Sequence, residues 1–509
     1  MTQTTRTGSK AGRLARCVLP LVLLAACGTP VKNPVTGQTE RSVMTEVQEV
    51  EQGRKAHAEV LKEYQPLQNA RLQAYVNDIG QKLAKQSHRA NLQWTFTVLD
   101  SPEINAFALP GGYVYITRGI MAYLDSEADM AGILGHEIGH VTARHGAQRA
   151  TRAQSASLGV LAATVLGAVL ESRGIGGATE LASSASQLAA AGYVAKYSRE
   201  QELQADGLGA EYLSRVTYDP RNMIDVIRVL KDQERFAADT ARAEGRPVPQ
   251  GNAWLASHPS NDQRLDAITR LAAQYAGNKT FTDEGRLRFL QLMDSVRFGE
   301  SPEQGLTRGN QFYHDGMNFA MTAAPGFRFV NEADQLLALN SAGDAGVIVQ
   351  LAPANAGRTH DEVIRNLIKP ETGRVERTSL NGLQATRFAG TRVAQNGQRG
   401  NVELTLVTGA SGQIFLLRPA AKDANALQRA RSSLTQMEQS FRPMSAADKA
   451  AARPWILKTA PYPRGGFAEL ARNSPLPNAE AHLRLINGVY GGGTTEPKPG
   501  ALVKVVVVQ

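Results

Sequence analysis

The stretch GILGHEIGHVTARH, residues 132–145, constrains this chain more than any other segment of its length. It sets His136 and His140 four positions apart, with Glu137 between them. On a helix four positions is one turn, so the two imidazoles share a face and can each give a nitrogen to one tetrahedral zinc ion. Glu137 is rotated off that face, where it can stand beside the metal as a general base toward water. Ser126 followed three residues later by Asp129 is a capping-box signal for the start of the helix. Ile133, Leu134, Ile138 and Val141 form its apolar face. Gly135 and Gly139 each cost about 1 kcal/mol relative to alanine in a helix, so they are expected to admit another backbone or a ligand at close range.

A catalytic zinc usually takes three protein ligands and leaves a fourth place to water. His145 is the nearest further histidine, but five residues past His140 it points about 140° away around the helix. The third ligand is therefore expected on another element. Glu202, in SREQELQAD, fits that need from a second helix, with Asp206 one turn later on the same face. Asp206 can accept a hydrogen bond from a liganding imidazole. Paired acids on a helix are commonly just solvated, so this pair gains its meaning from the histidines.

HEIGH followed by SREQELQAD, preceded by INAFALPGGYVYITRG and followed by SHPSNDQR, resembles the zinc metallopeptidase family of the CAAX prenyl endopeptidases and HtpX. The similarity is to its BepA-like periplasmic branch and runs over roughly residues 35 to 300. The resemblance implies a gluzincin fold, a mainly helical protease domain with a small sheet whose edge strand holds the substrate. It implies His136, His140 and Glu202 as ligands of one Zn2+, Glu137 as base and Asp206 as a supporting acid. Asn105, Ala106 and Phe107 then fall on the strand that binds substrate by main-chain pairing. His258 has two open functional readings, a donor to the developing oxyanion or a residue that occupies the open zinc position and shuts the site, beside the plain one of a histidine that caps a loop. Arg264 and Arg199 can pair with acids near the site or lie on a solvated face. BepA-like proteins often carry a helical-repeat domain after the protease; no such repeat is evident here.

The flanks suggest where such a protein works. Arg6, Lys10, Arg13 and Arg16 precede the apolar run VLPLVLLAA and Cys27, with no acid before Glu40. The run is too short to span a bilayer. Leu24, Ala25, Ala26 and Cys27 look like a bacterial lipobox, which implies removal of residues 1–26 as a lipoprotein signal peptide and acylation of Cys27. The +9 formal charge falls by four on that removal, and no nucleic-acid partner is expected. Gly28 rather than aspartate after the cysteine implies the outer membrane of a Gram-negative bacterium, facing the periplasm. Residues 27–45 read as a tether. His57 and His88, among charges on the helices that follow, read as solvated.

Residues 46–300 are then the metalloprotease domain. Inside it, the uncharged stretch 153–170 reads as a buried or lipid-brushing helix, and the Gly/Ala/Ser-rich segment after it as a lid. Residues 311–443 read as an α+β module with no catalytic grouping, since His314 and His360 stand apart. Residues 444–453 read as a linker. Residues 454–509, a strand, two helices and a strand, resemble a LysM domain, and peptidoglycan is a further candidate partner on that ground. The fold class expected is α+β throughout.

The function expected is a lipid-anchored periplasmic zinc endopeptidase, with unfolded or misassembled envelope proteins as substrates. A second reading is an envelope chaperone or assembly scaffold with a latent protease site. A third, a cell-wall hydrolase, rests on the LysM-like tail alone.

Overall fold

The computed structural model describes residues 28–154, 197–248, 258, 262–332, 334–393, 399–492 and 495–509. Cys27 with its signal, the apolar stretch 155–170 and the lid candidate lie outside the described residues. The chain divides into two compact units, one formed by residues 1–234, 250–293 and 484–496, the other by 235–249, 294–483 and 497–509. Helices and several sheets are mixed in α+β fashion, as the sequence predicts.

The first unit opens with a hairpin, β1 (Thr29–Lys32) and β2 (Thr39–Ser42). A tether is expected here, and the hairpin corrects that expectation. Its physical reason is anchoring by side chains: Asn33 donates to the Ala143 carbonyl at 3.3 Å, and Gln148 donates to Glu40 at 2.9 Å. Helices α1 (Glu46–Glu63) and α2 (Ala70–Ala84) follow, each with an N-cap side chain that accepts a backbone N–H. A three-stranded sheet comes next, in the order β3-β5-β4. In it β3 (Thr95–Leu99) runs parallel to β5 (Tyr113–Thr117), and β4 (Ala106–Leu109) runs antiparallel to β5 at the edge. The Pro110-Gly111-Gly112 turn joins β4 to β5, with both glycines at positive φ. The short α3 (Arg118–Met121) leads into α4 (Glu127–Thr142), and then come α5 (Arg199–Arg215), α6 (Asn222–Ala243), α7 (Asp262–Ala276) and α8 (Arg286–Met293).

Every residue of α4 is buried, including its polar ones. A helix enclosed on all sides can keep histidines and a glutamate only if each has a polar partner or a ligand. A buried ion cluster holds its far end. Glu49 of α1 sits between Arg89, at 3.1 Å, and Arg144, at 2.9 Å, all three buried. Arg89 also donates to the Val141 carbonyl and Arg144 to that of Met44. The Val141 carbonyl in the last turn of α4 is thus linked through Arg89 to Glu49 of α1.

The second unit carries a seven-stranded antiparallel sheet over residues 327–421, whose strands lie side by side in the order Phe327–Asn331, Gln335–Asn340, Ala345–Leu351, Ile414–Ala421, Arg399–Thr408, Leu383–Val393 and Thr372–Leu380. The Ala424–Ser440 helix covers one face, with Phe312, Phe319, Phe415 and Phe441 in the core beneath it. A short helix over His360–Val363, continued by a π turn, covers part of the other. His360 is buried between the hydroxyls of Thr386 and Thr408 at 2.7 and 3.0 Å, a structural role. The linker expected over 444–453 contains a capped helix, Ala446–Ala451, because Asp448 both completes a capping box with Ser445 and pairs with Arg442. The tail has the expected order of strand (Trp455–Pro461), two helices and strand (Leu502–Val508), its strands antiparallel. Arg297–Phe298 adds a third strand to that sheet, which places the end of the expected protease domain in the tail's own sheet.

Candidate metal centre

Two helices bring the centre together, and glycine lets them touch. A Cβ on Gly135 would meet Gly209 at 3.2 Å, and one on Gly139 would meet the Ala205 backbone at 3.0 Å. The α4 and α5 backbones therefore approach more closely than alanine permits, as the two costly glycines suggest. That crossing sets His136 and His140 of α4 against Glu202 and Asp206 of α5, all buried.

The start of α4 is fixed by the capping box. Ser126 accepts from the Asp129 amide, and the Asp129 carboxylate accepts from the amides of Asp125 and Ser126 at 3.1 and 3.0 Å. It also accepts from Asn222 at 3.0 Å. Burial, with Asp225 nearby, nevertheless pushes this carboxyl up to about 7. The folded protein thus holds the proton more tightly than the unfolded chain, where aspartate titrates near 3.8. The stability contributed by the neutral form is full below that pH and is lost as pH rises to about 7. The urea midpoint of the protein is expected to fall across this window, and with a smaller slope in Asp129→Asn. Parallel pH profiles for the two proteins would contradict the assignment.

The ligating atoms of His136, His140, Glu202 and His258 all lie within 4.8 Å of one another. His136 Nε2 is 3.1 Å from His140 Nε2 and 3.3 Å from His258 Nδ1. Glu202 Oε1 is 3.0 Å from His258 Nδ1 and 3.4 Å from His140 Nε2. Tetrahedral donors at a zinc bond length of about 2.0–2.1 Å stand about 3.3–3.4 Å apart. The cluster is therefore the right size to hold one metal ion, and three imidazoles with one carboxylate suit zinc.

The surroundings favour ligation. The other nitrogen of His136, Nδ1, faces Asp206 at 2.9 Å. Burial lowers the His136 pKa, but Asp206 and the neighbouring glutamates outweigh it and raise the balance. His140 is driven well below its ordinary value by burial and by His136 and His258, which keeps its lone pair available. Arg264 of α7 is buried and reaches both acids, 2.8 Å to each oxygen of Asp206 and 2.9 Å to Glu202 Oε2. Burial opposes ionisation of Glu202, but His258 and Arg264 hold its carboxyl below the usual range. Asp206 is likewise held low, by Arg264 and His136 against burial.

The structure brings together the metal-site residues expected from the motifs. His136, His140 and Glu202 converge, Asp206 supports His136, and Glu137 Oε1 lies 3.8 Å from His258 Nε2, outside the four donors. Beside the three expected donors, His258 Nδ1 also stands within the cluster, where the second of its two functional readings puts it. Ala106 and Phe107 lie on the edge strand β4, with Asn105 just before it. Among the described residues no strand pairs with the outer edge of β4. Arg264 is a buried clamp, whereas Arg199 is exposed and bonds Gln263. His57 and His88 are half-buried on tyrosine hydroxyls, at 2.5 Å from Tyr115 and 2.8 Å from Tyr212, rather than solvated. Sequence reasoning missed Tyr197, whose ring stacks on His140 with centroids 4.0 Å apart and has Arg149 over it at 5.1 Å. Burial pushes its phenol up to about 12. Its only signal in the sequence is an aromatic residue directly before Ser198, the N-cap of the ligand-bearing α5.

Comparison with known proteins agrees with this geometry. Residues 70–272 match the model of Peptidase family M48. The chain is 29% identical over 273 residues to a putative beta-barrel assembly-enhancing protease of Vibrio cholerae serotype O1, covering 51% of this chain and 52% of that one. It is 30% identical over 200 residues to the beta-barrel assembly-enhancing protease of Escherichia coli K12, covering 39% of each. It is 30% identical over 197 residues to the mitochondrial metalloendopeptidase OMA1 of Schizosaccharomyces pombe, covering 38% of this chain and 51% of that one. The chain thus spans about half the length, or less, of these curated relatives. Among solved structures it is similar to cyanobacterial PsbP from Synechocystis sp. PCC 6803, at 10% identity over 29% of this chain and 98% of that one, with a TM-score of 0.20 that is too low to carry an argument.

Proposed function

Since residues 70–272 form a Peptidase family M48 domain, we propose that this chain is a zinc-dependent metalloendopeptidase. The observation that carries the reading is the buried cluster of four donors at zinc spacing, with Glu137 beside it and outside it. His136, His140 and Glu202 would hold the zinc ion, which when bound would supply Lewis acidity to acidify water and polarise a carbonyl. Glu137 accepts the proton as water attacks the peptide carbonyl, then delivers it to the leaving amine. Asp206 and Arg264 hold His136 and Glu202 in place. An extended substrate adds to the free edge of β4, through main-chain bonds at Asn105, Ala106 and Phe107.

His258 supports the second of its two readings. With its Nδ1 among the donors and its Nε2 toward Glu137, it would hold the fourth donor place and keep water from it. Closure is what a protease among folded envelope proteins requires at rest. The substrates we propose are unfolded or misassembled envelope proteins of the outer membrane, by analogy with relatives named for β-barrel assembly. A lipid anchor at Cys27, a periplasmic location and glycan contact by the tail belong to the same reading. The assembly-scaffold alternative draws on the same closed site.

The test is digestion of fluorescently labelled casein, an unfolded protein, by the zinc-loaded full chain and its His258→Ala form. The variant is expected to cut at least about tenfold faster, since a closed-state preference of about 1.4 kcal/mol suffices for that factor. A slower variant would assign His258 to catalysis. Zinc-loaded forms that both fail to cut would favour the scaffold.

A further inference from the structure

His145 lies beyond the end of α4, just after Arg144 at positive φ, and outside the four-donor cluster, yet it is fully buried and touches a ligand. Its Nδ1 lies 2.9 Å from His140 Nδ1, and its Nε2 lies 3.0 Å from Gln204 Oε1. His140 turns its other nitrogen, Nε2, into the donor cluster. Protons in this row have two consistent polarities. In one, His140 carries its hydrogen on Nδ1 and donates it to His145 Nδ1. His145 then carries its hydrogen on Nε2 and needs an acceptor, which Gln204 Oε1 provides. In the other, every bond reverses, and a proton sits on His140 Nε2, pointed at His136 Nε2 and Glu202 where a metal would bind. The oxygen of Gln204 selects the first polarity.

We propose that His145 and Gln204 are positioning residues that hold His140 in its metal-binding tautomer. The inference rests on the zinc reading above and adds two residues to it. It also makes the two ligands of α4 unequal. His136 faces the carboxylate of Asp206, which strengthens it as a donor, whereas His140 faces a neutral histidine that orients it without adding negative charge. Gln204 sits on α5 between Glu202 and Asp206, so one helix supplies a ligand, the acid that faces His136 and the amide that orients His145.

The test begins with the unaltered full chain, labelled with 15N at histidine and freed of metal. Its NMR spectrum is expected to show His140 as the Nδ1–H tautomer and His145 as the Nε2–H tautomer. His145 found as Nδ1–H overturns the proposal without any variant. Zinc affinity is then read by competition with a chromogenic chelator. His145→Leu, which has no acceptor, is expected to bind about 10–100-fold more weakly. His145→Asn, whose amide oxygen can stand near the lost Nδ1, is expected to recover to within a few-fold of the natural chain. Wild-type affinity in His145→Leu, or an equal loss in both variants, overturns the proposal. Failure of the unaltered chain to bind zinc would sink the parent reading instead, so the two failures are distinguishable.

Discussion

Glu137→Gln is expected to lower peptide-bond cleavage by about 10²–10⁴-fold, the usual worth of a positioned general base, while bound zinc is retained. Glu137 is buried on the ligand helix but is not one of the four clustered donors. Glutamine keeps its size and its place and cannot take a proton from water. The loss should therefore appear in kcat, with KM and metal content nearly unchanged. Because His258 stands among the four donors, the substitution belongs in both the natural and His258→Ala backgrounds. Residual cleavage at the parent rate in the His258→Ala background would remove Glu137 from the mechanism.

Glu49→Ala is expected to destabilise the first unit by about 3–5 kcal/mol, because it removes the buried carboxylate shared by two buried arginines and leaves Arg89 only the exposed Glu46 as an acid partner. For a unit of this size that corresponds to a Tm lower by about 10 °C or more. Arg89 is 2% exposed and Arg144 5% exposed, so neither can recover water without moving the end of α4. Thermal unfolding by circular dichroism reads the effect. Converting Glu49, Arg89 and Arg144 together to apolar residues is expected to recover much of it. A Tm within about 2 °C of the natural chain for Glu49→Ala would mean that the triad is solvated.

The parts of the site that were legible in the sequence share one property: their spacing is the spacing of a helix. His136 with His140, Ser126 with Asp129 and Glu202 with Asp206 are all local patterns, and local geometry carries them into space unchanged. Gly135 and Gly139 were legible for a related reason, since a buried helix that keeps a propensity cost needs a compensating contact. Pairings between distant segments were not. Nothing in the sequence ties Glu49 to Arg89 and Arg144, so those charges read as surface. Arg264 reads equally well as a solvated residue, and its role appears only when α7 meets α5. The angle given to His145 assumed one continuous helix, but α4 ends at Thr142 and Arg144 takes a positive φ, and that break sets His145 against the far nitrogen of His140. The β1–β2 hairpin was missed because its Pro- and Gly-bearing sequence has little apolar periodicity; its order comes from hydrogen bonds to residues more than one hundred positions away.

The most direct test of the central claim is the metal content of the full chain and of His140→Ala, each purified, exposed to zinc, dialysed and measured by elemental mass spectrometry. The account predicts about one zinc per natural chain, as for a single mononuclear site, and little in the variant. A correctly folded natural chain that retains no zinc, or a His140→Ala chain that retains as much, would contradict it.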